Sequence, residues 1–239
     1  MSDTSRRYDA VFWDIGGVIV ELASIREGYA AFLAELADEY DLDPETTPER
    51  WKAALGEHFG AAEGTEYQTA AEGYRRATRA VFEAAGREAP PESEWRPVLD
   101  RCLDATLRAE DGAVETIQTL DEAGVYQAVI SDVDTREAES MFEQLGLDGA
   151  FTHVTTSEAV GYKKPDRRMF EAALEKAAEH GIGPADGVMV GDRYEHDIEG
   201  ASARGLDAVA YGEEATGEAA THHVTNLEEI LDIVGINDR

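Results

Sequence analysis

The sequence predicts an α/β fold, a doubly wound parallel sheet interrupted near its start by an all-helical insertion. Three observations carry this expectation. Short apolar runs at residues 8–13, 126–130, 187–190 and 208–211 read as strands and alternate with segments of helical period. Between residues 23 and 111 the alternation stops and helical stretches follow one another. Several of the strand-like runs end in an aspartate or a Ser-Asp pair, at the carboxyl edge where open parallel sheets collect their ligands.

Taken in order, Tyr8 to Trp13 is strand-like, Asp14 to Gly17 forms a turn, and Val18 to Val20 resumes an extended run. From Ser24 to about Tyr40, residues Ile25, Tyr29, Phe32, Leu33 and Leu36 fall at helical spacing. Further helices are expected over Thr47 to His58, with Pro48 near its start, over Glu66 to Ala85, and over Glu92 to Arg108. These four make a block large enough for a small bundle. The α/β pattern then returns: helix Ala113–Ala123, strand Tyr126–Ile130, helix Arg136–Leu145, strand Phe151–Thr155, helix Asp166–His180 and strand Gly187–Val190. A helix near Glu195–Arg204, a strand Ala208–Tyr211, a polar loop Gly212–Thr221 and a helix Asn226–Val234 close the series. The expected organisation is a core of residues 1–22 and 112–239 with a helical insertion over 23–111.

Composition bounds the partners. The 239 residues carry a formal net charge of −30, spread along the chain, which argues against nucleic-acid or anionic-membrane binding. With 43% hydrophobic residues and clear periodicity, the chain is expected to fold despite its charge. Such acidity suits a halophilic cytosol, because the Debye length falls to roughly 3 Å at 1 M salt and self-repulsion is screened. The N-terminus lacks an apolar signal core and no run approaches a membrane span, so a soluble cytoplasmic protein is expected. Cys102, the lone cysteine, excludes an intramolecular disulfide and reads as a small buried hydrophobe. His153, His180, His196 and the pair His222-His223 show no convincing metal-ligand spacing and read as surface or packing residues.

Four short segments carry the chemistry: Asp14, Ser131-Asp132, Lys164-Pro165, and Gly191-Asp192 with Asp197. Far apart in sequence, they converge if each ends a strand of one sheet, and together they describe a phosphate site. Lysine occurs only at 52, 163, 164 and 176, yet two lysines stand side by side before Pro165. Lys164 is preferred over Lys163 because the residue before proline is held extended, which fixes its direction.

With Asp14-Ile15-Gly16-Gly17-Val18, Ser131-Asp132, Gly161-Tyr162-Lys163-Lys164-Pro165-Asp166, and Val190-Gly191-Asp192 to Asp197 followed by Gly200-Ala201, the chain resembles the haloacid dehalogenase-like hydrolase superfamily over essentially its whole length. The resemblance implies a Rossmann-like core with a helical cap inserted after the first motif. It implies a Mg2+-dependent phosphatase acting on a small-molecule phosphate monoester, with Asp14 as the nucleophile that forms an aspartyl-phosphate. Lys164 would neutralise the gathered anions and share the phosphate with Ser131 and Asp132. The metal ligands implied are Asp14, the Gly16 backbone carbonyl and Asp192, with Asp197 in support. A monomer or homodimer is expected.

The sequence departs from the family at Gly16, where most of its phosphatases carry a second aspartate as general acid and base. Glycine has no proton to give, a loss typically worth about a hundredfold or more. Glu21 and Asp134 are candidate replacements, although single acids in so acidic a chain are expected to be surface charges. Two alternatives follow. One is a 2-haloacid dehalogenase, disfavoured by the metal-type aspartates and by the lack of a tyrosine at position 16; the other is a non-catalytic relative that binds phosphorylated ligands. In the insertion, Tyr67, Tyr74, Arg75 and Arg79, with His58 before them, form a possible ligand face, though aromatics at helical spacing more often pack a core.

Overall fold

In the computed structural model, which describes residues 7–236, the chain divides into two compact units. One runs to Glu21 and resumes at Ala109; the other is Leu22–Arg108. The first unit contains β1 (Ala10–Trp13), α5 (Ala113–Glu122), β2 (Tyr126–Ser131), α6 (Thr135–Leu145), β3 (His153–Thr156), α7 (Ser157–Val160) and α8 (Arg167–Ala178). It continues with β4 (Gly187–Gly191), a π-helical turn (Tyr194–Glu199), α9 (Gly200–Ser202), β5 (Asp207–Tyr211), β6 (His222–Val224) and α10 (Glu229–Val234). The second unit comprises α1 (Leu22–Glu39), α2 (Thr46–Gly60), α3 (Ala70–Ala84) and α4 (Glu92–Thr106).

The strands form one six-stranded sheet in the order β3-β2-β1-β4-β5-β6, every neighbouring pair parallel. This is the doubly wound arrangement in which consecutive strands run outward from β1 first to one side and then, from β4, to the other. The strand order reverses between β1 and β4, the position at which open parallel sheets bind ligands beyond their carboxyl ends. Strands β1, β2 and β4 are buried along their whole length, which explains their continuous apolar runs. One face of the sheet packs Phe12, Ile130 and Met189 against Met169 and Phe170 of α8.

Helix starts follow local chemistry. Thr69 caps α3 by accepting from the Glu72 N–H, and Asp166 caps α8 by accepting from the Arg168 N–H at 3.0 Å. The Thr69 cap leaves Tyr67 outside the helix, so the tyrosine–arginine face expected there is not continuous. Tyr74 is buried in the core of the helical unit, stacked on Trp51 and hydrogen-bonded to the Tyr29 hydroxyl at 2.7 Å. Arg75 pairs with Glu72 and Glu92, and the buried His58 meets the Thr69 carbonyl through Nε2. These side chains pack or pair on their own unit. Cys102 is buried beside Leu99 and Trp95.

Several elements differ from the sequence expectation. The run Val18–Val20 is a tight turn instead of a strand, because the N–H groups of Val18, Ile19 and Val20 all approach the Ile15 carbonyl. The helix expected over Glu195–Arg204 begins as a π-helical turn and becomes α-helical only at Gly200. The polar loop after β5 contains a 3-10 turn, Glu213–Ala215, and leads into β6, whose histidine pair hid its strand character. Among the described residues, no helix is long and apolar enough to cross a membrane.

Phe12 is fully buried on the central strand and lies under α8. Phe12→Ala is expected to cost about 3–5 kcal/mol of unfolding free energy, read by denaturant titration in molar KCl.

Candidate active site

Every site residue expected from the sequence lies at the carboxyl edge of the sheet or on the connections leaving it. Asp14 follows β1, its N–H donating to the Val190 carbonyl at 3.0 Å, so the chain stays registered with β4 past the strand end. Ser131 ends β2, Asp192 follows β4, and Lys164 stands on the connection between α7 and α8.

The centre is an ion-pair triad. Lys164 Nζ lies 2.8 Å from Asp14 Oδ1 and 2.6 Å from Asp197 Oδ1, and the lysine is 0% exposed. Lys163 is only partly buried, so the pre-proline lysine is the one at the centre. Ser131 Oγ donates to Asp14 Oδ1 at 2.8 Å. Burial by itself would raise the Asp14 pKa, but Lys164, Arg193 and the Ser131 hydroxyl outweigh it and hold the carboxyl below its usual range. Burial would likewise discharge Lys164, yet the carboxylates of Asp14, Asp197 and Asp132 raise its pKa and keep it charged. Asp197 is pushed up by burial and by the Asp14 charge, against the pull of Lys164.

Two glycines let the carboxylates approach. Gly17 has φ +80°, and a Cβ built there would meet Asp192 Oδ2. A Cβ at Gly191 would overlap the Asp197 side chain in the same way. Asp197 Oδ2 also accepts from the Arg193 N–H at 3.0 Å, which ties the π-helical turn to the end of β4.

Asp132 faces three donors. Its Oδ1 accepts from the Lys164 N–H at 2.8 Å and from Ser157 Oγ at 2.9 Å, and its Oδ2 accepts from Arg193 Nη2 at 3.0 Å. The carboxylate therefore braces the Lys164 connection. Arg193 and Ser157 are missing from the sequence reading. Arg193 Nη2 is 4.0 Å from Asp14 Oδ2, and Nε is 4.0 Å from Asp197 Oδ2. Its signal in the sequence is a cation placed directly after Gly191-Asp192 in a chain rich in acids.

Asp14, Asp192 and Asp197 each offer a carboxylate oxygen, all within 4.8 Å of one another. Asp192 Oδ1 is buried without a hydrogen-bond partner. Burial and the charges of Asp14 and Asp197 push the Asp192 pKa up to about 6. Hard oxygen donors, an orphaned carboxylate oxygen and anionic repulsion that Lys164 and Arg193 only partly offset fit a divalent cation such as Mg2+. Asp197 is already engaged by Lys164 and the Arg193 N–H, which suits a supporting place beside the cation.

Of the two candidate acids, Glu21 lies near Glu110, whose pKa is raised by burial and by the Glu21 charge. Asp134 is buried at the start of α6. Gly16 pairs with Val20 in an isolated bridge and, unlike Gly17, is not among the glycines of positive φ.

Comparison with known proteins identifies relatives in sequence and in fold. A Halopiger xanaduensis ribulose-1,5-bisphosphate 5-phosphatase is 29% identical over 94% of this chain and 98% of its own length. A Methanothermobacter thermautotrophicus glyceraldehyde 3-phosphate phosphatase is 35% identical over 56% of this chain and 57% of its own. A Bos taurus haloacid dehalogenase-like hydrolase domain-containing protein 3 is 39% identical over 43% of this chain and 39% of its own. With the latter two, the chain spans about half the length of the curated relatives it matches. In fold, a magnesium-bound HAD-hydrolase from Bacillus subtilis superposes with a TM-score of 0.72 at 20% identity, over 96% of this chain and 100% of that one. An L-2-haloacid dehalogenase, Rha0230, gives 0.69 at 18% identity over 94% of each chain. The profile of the haloacid dehalogenase-like hydrolases matches residues 8–205, and the chain belongs to that family.

Proposed function

We propose that the protein is a Mg2+-dependent phosphatase that hydrolyses a small sugar phosphate through an aspartyl-phosphate on Asp14. The observation that carries this reading is the state of Asp14: a buried carboxylate kept ionised by Lys164, Arg193 and Ser131, beside an acidic group suited to a cation. The phosphatase names of the archaeal relatives support the substrate class. The likeness to dehalogenases is one of fold, at 18% identity.

An Asp14 oxygen attacks phosphorus, the bond to the leaving oxygen breaks, and the released alkoxide takes up a proton. Water then attacks the aspartyl-phosphate, releasing inorganic phosphate and restoring the carboxylate. Lys164, fixed between Asp14 and Asp197, offsets negative charge throughout and needs no rearrangement. Ser131 Oγ donates to Asp14 Oδ1 and would turn its donor toward a phosphoryl oxygen when substrate binds. A bound Mg2+ would supply Lewis-acid neutralisation of phosphoryl charge, held by Asp14, Asp192 and the Gly16 carbonyl. The proton donor usual at position 16 is missing, so substrates with leaving groups of low pKa are favoured.

The decisive assay is p-nitrophenyl phosphate hydrolysis in molar KCl, with and without Mg2+. Activity that requires Mg2+ and disappears in Asp14→Asn is the expected result; Mg2+-independent turnover surviving in Asp14→Asn would overturn the reading. Gly16→Asp is expected to raise the rate on alkyl phosphates by about a hundredfold, with a smaller gain on aryl phosphates. An inert wild type made active by Gly16→Asp would instead identify a binding relative.

The Asp192 pKa yields a stability test. In the metal-free protein this carboxyl titrates near about 6, above its unfolded value of about 3.9. Between those values the folded state holds the extra proton, so stability from this group falls as pH rises and stays lost above about 6. Asp192→Asn removes that penalty. The metal-free variant should melt above the metal-free wild type at neutral pH, the gap should shrink toward about pH 4, and added Mg2+ should stabilise only the wild type.

A further inference from the structure

We propose that Arg193 is a direct ligand of the transferring phosphoryl group, a second cationic arm that Asp132 holds in place; this rests on the phosphatase reading above. The two cations of the site differ in availability. Lys164 is sealed from solvent with its ammonium between two carboxylates, whereas the Arg193 side chain is 42% exposed. One guanidinium N–H is engaged, by Asp132 Oδ2 at 3.0 Å. The approach to Asp14 Oδ2, 4.0 Å, is too long for a hydrogen bond. The fork therefore sits beside the attacking carboxylate with donors to spare.

Its position is fixed at both ends. The backbone N–H of Arg193 donates to Asp197 Oδ2, and the guanidinium is anchored on Asp132. Asp132 is itself pinned by the Lys164 N–H and Ser157 Oγ. Such an arm loses little conformational freedom when an anion arrives, and a planar fork matches two phosphoryl oxygens where an ammonium meets only one point. Charge makes the same demand: Asp14, Asp132, Asp192 and Asp197 face only Lys164 and Arg193 among the described residues of the site. A phosphoryl group entering beside Asp14 meets that excess of carboxylates, and Arg193 is the exposed cation there.

The test is calorimetric titration of the full chain with inorganic phosphate, Mg2+ present, in molar KCl, where long-range fields are screened and contact remains. Arg193→Gln is expected to weaken phosphate binding roughly tenfold or more, the loss of a charge-assisted contact. Arg193→Lys keeps the charge and loses the fork, so most of that loss should persist while melting temperature and Mg2+ affinity match the wild type. Full recovery of phosphate affinity in Arg193→Lys, no loss in Arg193→Gln, or a wild type that binds no phosphate would each overturn the assignment. Failure of the wild type to hydrolyse phosphate esters would defeat the phosphatase reading alone, because the binding comparison still decides the role of Arg193.

Discussion

The buried ion pair between Lys164 and the carboxylates of Asp14 and Asp197 is the constraint on which the rest of the site depends. Removing two anions and a cation from water is costly, and the cost is recovered only when geometry is tight and other donors satisfy the remaining oxygens. Here the Ser131 hydroxyl serves Asp14 and the Arg193 amide serves Asp197. The result is a carboxylate that is both buried and ionised, a combination water alone would not permit at that depth. The ionised state of Asp14 and the fixed position of Lys164 share one physical origin.

The backbone is arranged around that pair. Parallel pairing of β1 with β2 and β4 brings Trp13 level with Val129 and Val190, so the residues that follow arrive at the same edge. Gly17 and Gly191 leave room for Asp192 and Asp197, and Asp132 ties the Lys164 connection to the residue after Asp192. Four connections from four strands are thereby locked together by side chains, whereas the strands themselves are held by ladder hydrogen bonds and apolar burial. Packing determines where the edge lies, and polar contacts determine its detail.

That division explains what could be read from the sequence. The sheet was legible because β1, β2 and β4 are buried on both faces and so are written as continuous apolar runs. Asp14, Ser131 and Asp192 were legible because each ends such a run, and Lys164 because proline follows it. Arg193 was not: its place directly after Gly191-Asp192 marks a cation near the site, but a contact with Asp132 across 61 positions leaves no local pattern. The same holds for Ser157, whose partner lies on another strand connection. Strand β6 is only three residues long and begins with two histidines, too short and too polar to register as a period. The π-helical turn was invisible because helical periodicity does not distinguish it from α-helix over so few residues. Tyr74 carries the opposite lesson: placed at helical spacing on a possible ligand face, it is instead buried in the core of the helical unit, stacked on Trp51.

Val20 and Ala109 are joined in an antiparallel bridge, and the Glu110 N–H donates to the Ile19 carbonyl at 3.0 Å. The chain thus leaves the sheet-bearing unit and re-enters it through a paired gate, and the excursion Leu22–Arg108 begins and ends at neighbouring points. Closure entropy grows only slowly with the length of such an excursion. A change in the length of the helical segment therefore adds little closure entropy, because the two points where it leaves and rejoins the sheet-bearing unit are already held together by backbone pairing.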